Sequence, residues 1–239
     1  MFRFIFTLAM LAGLCLPAAQ ANAAERKLLM SGFKDIVIED DIAVELIVGK
    51  SPKAVAIGDR RELPRVLLER RGKALVVKLR QSAINSRRRP MDQPLVIKLQ
   101  NYDLENVIIR GNGTLTTNRL SSNNTARVLI SGSGALNVAM LESNRLIATI
   151  IGNGNIKFAD GSVRDGLIEI QGGAIVDAGG VMFDELDITH QGNGETIATV
   201  KRAANITNNG RGRISITGSA NCSIKQAGSA VIDCPKYGR

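Results

Sequence analysis

Through the second half of the chain, apolar and polar side chains alternate on either side of a recurring glycine. "IIRGNGTLTT" begins at Ile108, "LISGSGALNV" at Leu129, "TIIGNGNIKF" at Thr149 and "THQGNGETIA" at Thr189. The leading glycines fall at 111, 132, 152, 172, 192 and 210, in steps of 21, 20, 20, 20 and 18. Four positions before them stand Val107, Val128, Ala148, Ile168, Ile188 and Ile206. Two before them stand Ile109, Ile130, Ile150, Ile170, His190 and Asn208. Four after them come Leu115, Leu136, Ile156, Val176, Thr196 and Ile214, and six after them Thr117, Val138, Phe158, Ala178, Ala198 and Ile216. Period-two alternation of this kind marks strands with one buried face.

A repeat of about 20 residues is the length of one solenoid coil. Each Gly-x-Gly then predicts the bend joining two strands within a coil, because glycine reaches positive φ cheaply and lets stacked backbones approach. Small polar residues between the glycines, such as Asn112, Ser133, Asn153 and Asn193, can bond neighbouring main chain at the turn. A phosphate cradle would need a helix N-terminus after the loop, and the pattern that follows here is that of a strand. The prediction is an all-β, single-stranded parallel and right-handed β-helix. One domain is expected over 24–239, with irregular coils capping one end over 24–100 and regular Gly-x-Gly coils over 101–239. In the irregular part "KDIVIED", "AVELIVG", "KAVAIGD", "ALVVKLR" and "PLVIKLQ" each predict a short strand. Arg61 to Arg71 is a helical candidate interrupted by Pro64, and "NSRRRPMDQP" (85–94) predicts an exposed loop.

The first residues change the setting. Arg3, the apolar run Ile5 to Leu16 and the small-x-small triplet Ala21-Asn22-Ala23 compose a secretory signal over 1–23. Export to the periplasm or cell surface of a bacterium follows as an expectation, with no membrane-spanning segment in the mature chain. Glycine is common (24), tryptophan absent and aromatics only 3%, so the core must be aliphatic. The formal charge of +9 is uneven. From Ala24 to Gln100, 17 basic residues face 10 acidic ones, a surplus of +7, whereas Asn101 to Arg239 has 13 against 12.

Recurring apolar-x-apolar-x-Gly-Ser-Gly about every 20 residues, after a strand-rich N-terminal part and a signal peptide, resembles the autotransporter adhesin head GIN domain family of bacterial exported proteins. The resemblance runs from roughly Phe33 to Cys234, with "LISGSGALNV" its best match. It implies a parallel β-helix of the cell envelope and brings no catalytic residues. Two coils depart from the pattern: Ala174 replaces a second glycine in "QGGAIVDAGG", and coil six reads "NGRGRI". Because Arg239 follows soon after the repeats, no translocator barrel is expected.

Candidate chemistry is sparse. His190, the one histidine, falls in an isoleucine column and should point inward with Asn208 as its partner; it lacks the nucleophile and orienting group of a triad. "GGAIVDAGG" has the look of a calcium nonapeptide, but tandem nine-residue copies are missing. No metal and no cofactor are expected. A polysaccharide-active enzyme would need clustered carboxylates, for which Asp160, Asp165, Asp177, Asp184, Glu185 and Asp187 are the candidates, most of them expected on a loop side opposite the glycine corner. The favoured reading is non-enzymatic: an adhesin-like binding or structural module. Its ligand candidates are Arg60, Arg61, Arg65, Arg70, Arg71, Arg87, Arg88 and Arg89, which suit anionic lipid, lipopolysaccharide or acidic glycan. Nucleic acid is not expected, since stacking aromatics are missing among the arginines. Homo-oligomers by end stacking are a further expectation. Cys222 and Cys234 lie six before and six after Gly228, both facing inward, and in an exported chain predict a disulfide.

Overall fold

The computed structural model describes residues 24–80 and 94–235. The N-terminal strands are β1 (Ala24–Leu28), β2 (Asp35–Glu39), β3 (Ala43–Val48), β4 (Lys53–Gly58), β5 (Val66–Arg71), β6 (Ala74–Leu79), β7 (Val96–Asn101) and β8 (Asn106–Gly111). Long bent strands follow: β9 (Thr114–Gly132), β10 (Ala135–Gly152), β11 (Asn155–Gly172), β12 (Ile175–Gly192) and β13 (Glu195–Asn208). The last coils are built from β14 (Arg213–Gly218), β15 (Asn221–Gln226) and β16 (Val231–Asp233). All sixteen belong to one sheet, wound as a parallel β-solenoid of about 6 turns with coils of about 20 residues.

The predicted columns are the core. Ile109, Ile130, Ile150, Ile170, His190 and Asn208 stack with 0% exposure. Leu115, Leu136, Ile156, Val176, Thr196 and Ile214 face them from beyond the corner, also buried. Adjacent coils pair in parallel with these columns in register, Ile130 beside Ile150 and Ile150 beside Ile170. At the corners the main chain of each coil bonds the one before it, as in Ser133 N–H to Gly111 O at 3.1 Å and Asn153 N–H to Gly132 O at 3.0 Å. Gly132 shows why glycine is required. Its φ is +126°, and a Cβ there would sit 2.5 Å from the carbonyl oxygen of Gly111.

The side opposite the corner holds no loop. From one Gly-x-Gly to the next the ladder continues as a single strand of 18 or 19 residues in β9 to β12. The chain turns there by breaking its alternation: inward Val138 is followed by Leu141 and then Leu146. Gly166 replaces a larger residue in the Leu146–Leu186 column, and a Cβ on it would meet the Phe183 ring at 2.7 Å. The missing side chain makes room for the aromatic ring.

Parallel stacking extends further toward the N-terminus than the glycine repeat does. β2 lies beside β8, and β3 beside β9, so Asp35–Val48 repeats the two strands and the corner of a coil without the side opposite the corner. Its corner is Asp40-Asp41-Ile42 instead of glycine-x-glycine. Asp40 takes the positive φ, 71°, which aspartate tolerates better than most residues, and its Oδ2 accepts the Leu79 N–H at 3.0 Å. β6 and β7 add the next parallel layer. Antiparallel strands then close this end, β5 on β6, and β4 with β1 on β7.

The helical expectation at Arg61–Arg71 is wrong. Only Leu63–Arg65 is helical, as one short 3-10 segment after the turn at 60–62, and Val66–Arg71 is the edge strand β5. "VLL" is a continuous apolar run whose periodicity favours neither state, and pairing with β6 decides it. The edge strands β1 and β5 carry charged residues, Glu25, Arg26 and Lys27 on one and Glu69, Arg70 and Arg71 on the other, which discourages further strand addition.

Candidate functional site

The N-terminal cap brings together part of the predicted arginine cluster and separates the rest. Arg60, Arg61 and Arg65 surround the short 3-10 turn, while Arg70 and Arg71 lie at the far end of β5. Five residues of extended chain separate Arg65 from Arg70, roughly 17 Å. Arg87, Arg88 and Arg89 lie outside the described residues, as does the expected signal segment 1–23.

Most of these arginines work within the fold. Arg61 holds Asp59 through Nε at 3.0 and 3.1 Å and also through Nη2. Arg65 pairs with Glu62 and donates Nε to the Arg80 carbonyl at 3.1 Å. Arg70 donates to the Gly32 and Gly72 carbonyls and to Ser31 Oγ at 3.1 Å, tying the β5–β6 hairpin to the segment before β2. Arg71 pairs with Glu69 at 3.1 Å, and Lys78 reaches the same carboxylate at 2.7 Å. The Lys78 hydrogen bond, with a further one from Arg71, holds the Glu69 carboxyl below the ordinary glutamate range against a smaller opposing effect of desolvation. Lys34 is held above the ordinary lysine range by its hydrogen bond to Glu105 at 2.6 Å and by that carboxylate's charge.

Two basic residues that the sequence reading did not single out belong to this surface. Arg26 reaches from β1 to the Leu63 carbonyl at 2.8 Å. Arg80 follows β6, its N–H bonded to the Arg65 carbonyl at 2.8 Å. Neither is close in sequence to Arg60 or Arg65, so only the antiparallel pairing reveals them.

His190 is fully buried, its Nδ1 lying 3.1 Å from Asn208 Oδ1. The tautomer follows from the partner. Asn208 Oδ1 accepts the Gly210 N–H at 3.1 Å and Asn208 Nδ2 donates to the Gly210 carbonyl at 3.2 Å. The oxygen is therefore an acceptor, and His190 Nδ1 must carry the proton. That leaves Nε2 as a bare acceptor without a hydrogen-bond partner among the described residues, and Thr196 Oγ1 is likewise unpartnered. The arrangement is a buried polar tie between coils.

The acids of the regular coils do not converge. Asp165 pairs with Arg164, Asp177 with Lys157, and Asp184 and Glu185 with Arg202. Asp187 accepts from Asn205, and Asp160 from the Gly161 N–H. Among the described residues, no three His, Cys, Asp or Glu side chains form a metal-ligating group, and no helix is long and apolar enough to cross a membrane. At the other end of the solenoid, Cys222 and Cys234 form the predicted disulfide, their Cα atoms 6.6 Å apart. The bridge joins opposite walls of the last coil and covers part of its core. A cavity of about 280 Å³ beside it is lined by Ile224, Gln226, Ile232 and Cys234.

Comparison with known proteins adds a family and a set of folds. A family model described as "Putative auto-transporter adhesin, head GIN domain" matches residues 32–220. The crystal structure of a putative adhesin from Bacteroides fragilis superposes with a TM-score of 0.77 at 17% identity, covering 90% of this chain and 97% of that one. A putative adhesin from Parabacteroides merdae gives 0.66 at 17% identity, over 89% and 96% of the two chains. A putative lipid binding protein from Parabacteroides distasonis gives 0.62 at 16% identity, again over 89% and 96%. At these identities the likeness is one of fold. None of the curated proteins matches the sequence.

Proposed function

The chain belongs to the auto-transporter adhesin head GIN domain family, and from that premise we propose that it is an exported, non-enzymatic binding module of the bacterial envelope that engages anionic surfaces. The observation that carries this reading is the position of its surplus charge. Residues 24–100 hold +7 of the net charge, and the described part of that segment forms the capped end of a solenoid in whose later coils charges nearly balance and Arg119–Glu142, Lys157–Asp177 and Arg202–Glu185 pair between neighbouring coils. A solvated field of one sign attracts polyanions over a Debye length of about 8 Å at physiological salt. The signal sequence and the disulfide support a location outside the cytoplasm. The Parabacteroides distasonis protein described as lipid binding makes anionic lipid the first ligand to test, ahead of lipopolysaccharide and acidic glycans.

Vesicle co-sedimentation and a glycan array on purified protein are the test. Retention on anionic vesicles or acidic glycans that falls with added salt is expected, as is weaker retention when Arg87, Arg88 and Arg89 are replaced by Ser. Depolymerisation of an acidic polysaccharide would overturn the non-enzymatic part. Indifference to every anionic probe would overturn the rest.

A further inference from the structure

Around the 3-10 turn, carboxylates neutralise some guanidinium groups and leave others unanswered. Asp59 is engaged with Arg61, and Glu62 with Arg65. Arg26 donates only to main-chain carbonyls, those of Leu63 at 2.8 Å and Val66 at 3.5 Å, so its charge keeps no carboxylate partner among the described residues. Arg60 is exposed on the turn that opens at Asp59, and its side chain has no partner among the described residues. Arg80 is pinned through its main chain by both the carbonyl and the side chain of Arg65, while its own guanidinium stays exposed and unpaired among the described residues. β1, the turn after β4 and the end of β6 thus bring three cations without a carboxylate partner among the described residues to the rim of one turn, Arg26 and Arg80 anchored there by hydrogen bonds to main chain.

We propose that Arg26, Arg60 and Arg80 form a binding site for a phosphate monoester group. Several like charges gathered at one place favour an anion that carries more than one charge and accepts several N–H bonds at once. A phosphate monoester does both, whereas a lone carboxylate brings a single charge. The proposal rests on the reading of this protein as an anion-binding module and narrows it to a place and a chemical group. The group could be borne by a lipid headgroup or by a small soluble phosphate.

Binding is measured with the full chain on two probes, inorganic phosphate by calorimetry and phosphatidylcholine vesicles with or without phosphatidic acid by co-sedimentation. Saturable binding of inorganic phosphate assigns the site to soluble phosphates. Binding confined to phosphatidic acid vesicles assigns it to headgroups, and either result supports the proposal. The double variant R60S/R80S should bind about thirtyfold more weakly, at roughly a factor of five per surface cation removed. R71S, which removes an ion-paired arginine at the far end of β5, should stay within about twofold. Both variants change exposed side chains, and circular dichroism checks that they are folded. If R60S/R80S binds phosphatidic acid vesicles as wild type does, the site is wrong while the anionic reading stands. If acidic glycans bind but neither phosphate probe does, the ligand class is wrong and the anionic reading again stands. If no anion binds, both fall.

Discussion

Replacing Gly132 by alanine tests whether the glycine corners serve the scaffold. Gly132 has φ of +126°, and the new Cβ would approach the Gly111 oxygen to 2.5 Å and the Gly111 carbonyl carbon to 3.0 Å. The dihedral alone costs an L-residue about 1–3 kcal/mol. The clash is with backbone, so relief requires moving one coil against the next, and the Asn153 N–H is bonded to the Gly132 oxygen on the far side. A total loss on the order of 3 kcal/mol is expected, a large part of a typical stability of about 5–15 kcal/mol. Gly173 is the control. It stands between two corner positions, its φ is not positive, and a Cβ there would touch only the Asn153 side chain, at 2.8 Å from Oδ1. Rotating that amide gives up its acceptance of the Gly173 N–H at 3.2 Å, but the same N–H keeps the Gly152 carbonyl at 3.1 Å, so Gly173→Ala should cost about 1 kcal/mol or less. Urea unfolding followed by circular dichroism gives both values, and hydrogen exchange should place the Gly132→Ala loss in β9 and β10, since solenoid coils couple mainly to their neighbours. Equal unfolding midpoints for the two variants would refute the reasoning.

His190 should appear in nitrogen NMR as the Nδ1–H tautomer. Asn208→Leu should cost about 1–3 kcal/mol by stranding that N–H, while His190→Ile with Asn208→Leu should recover part of the loss, because the column then matches its neighbours. A double variant less stable than Asn208→Leu alone would contradict the pairing. Thiol titration of denatured, unreduced protein should find Cys222 and Cys234 blocked, and replacing both by serine should cost about 2–4 kcal/mol and raise hydrogen exchange in β15 and β16 before any other strand. The Glu69 carboxyl is held low by Lys78, so its contribution is present above the ordinary glutamate range and lost as pH falls through the lowered value. Glu69→Gln should therefore flatten the acid limb of the stability profile, and an unchanged limb would show the pair to be idle.

Where the pattern repeats, the sequence by itself determined the architecture. Period-two columns around glycines 20 residues apart require a stacked strand with a corner. They also place His190 and Asn208 in one buried file, and Cys222 and Cys234 on facing walls. Such information is local or strictly periodic, and each coil restates it.

The tertiary structure decided whatever depends on contacts with no local signature. Asp40 occupies a glycine's place because it borrows a partner 39 residues away, the Leu79 N–H. "VLLERR" becomes a strand because β6 offers it a ladder. The described arginines of what looks like one cluster in sequence divide between the two ends of that strand, and Arg26 joins one group across 37 residues through its bond to Leu63. A charge written in the sequence is only a count; whether it is neutralised depends on which carboxylate the fold sets beside it. Among the described residues, that choice leaves Arg26, Arg60 and Arg80 without a carboxylate partner while Arg61, Arg65 and Arg71 are paired.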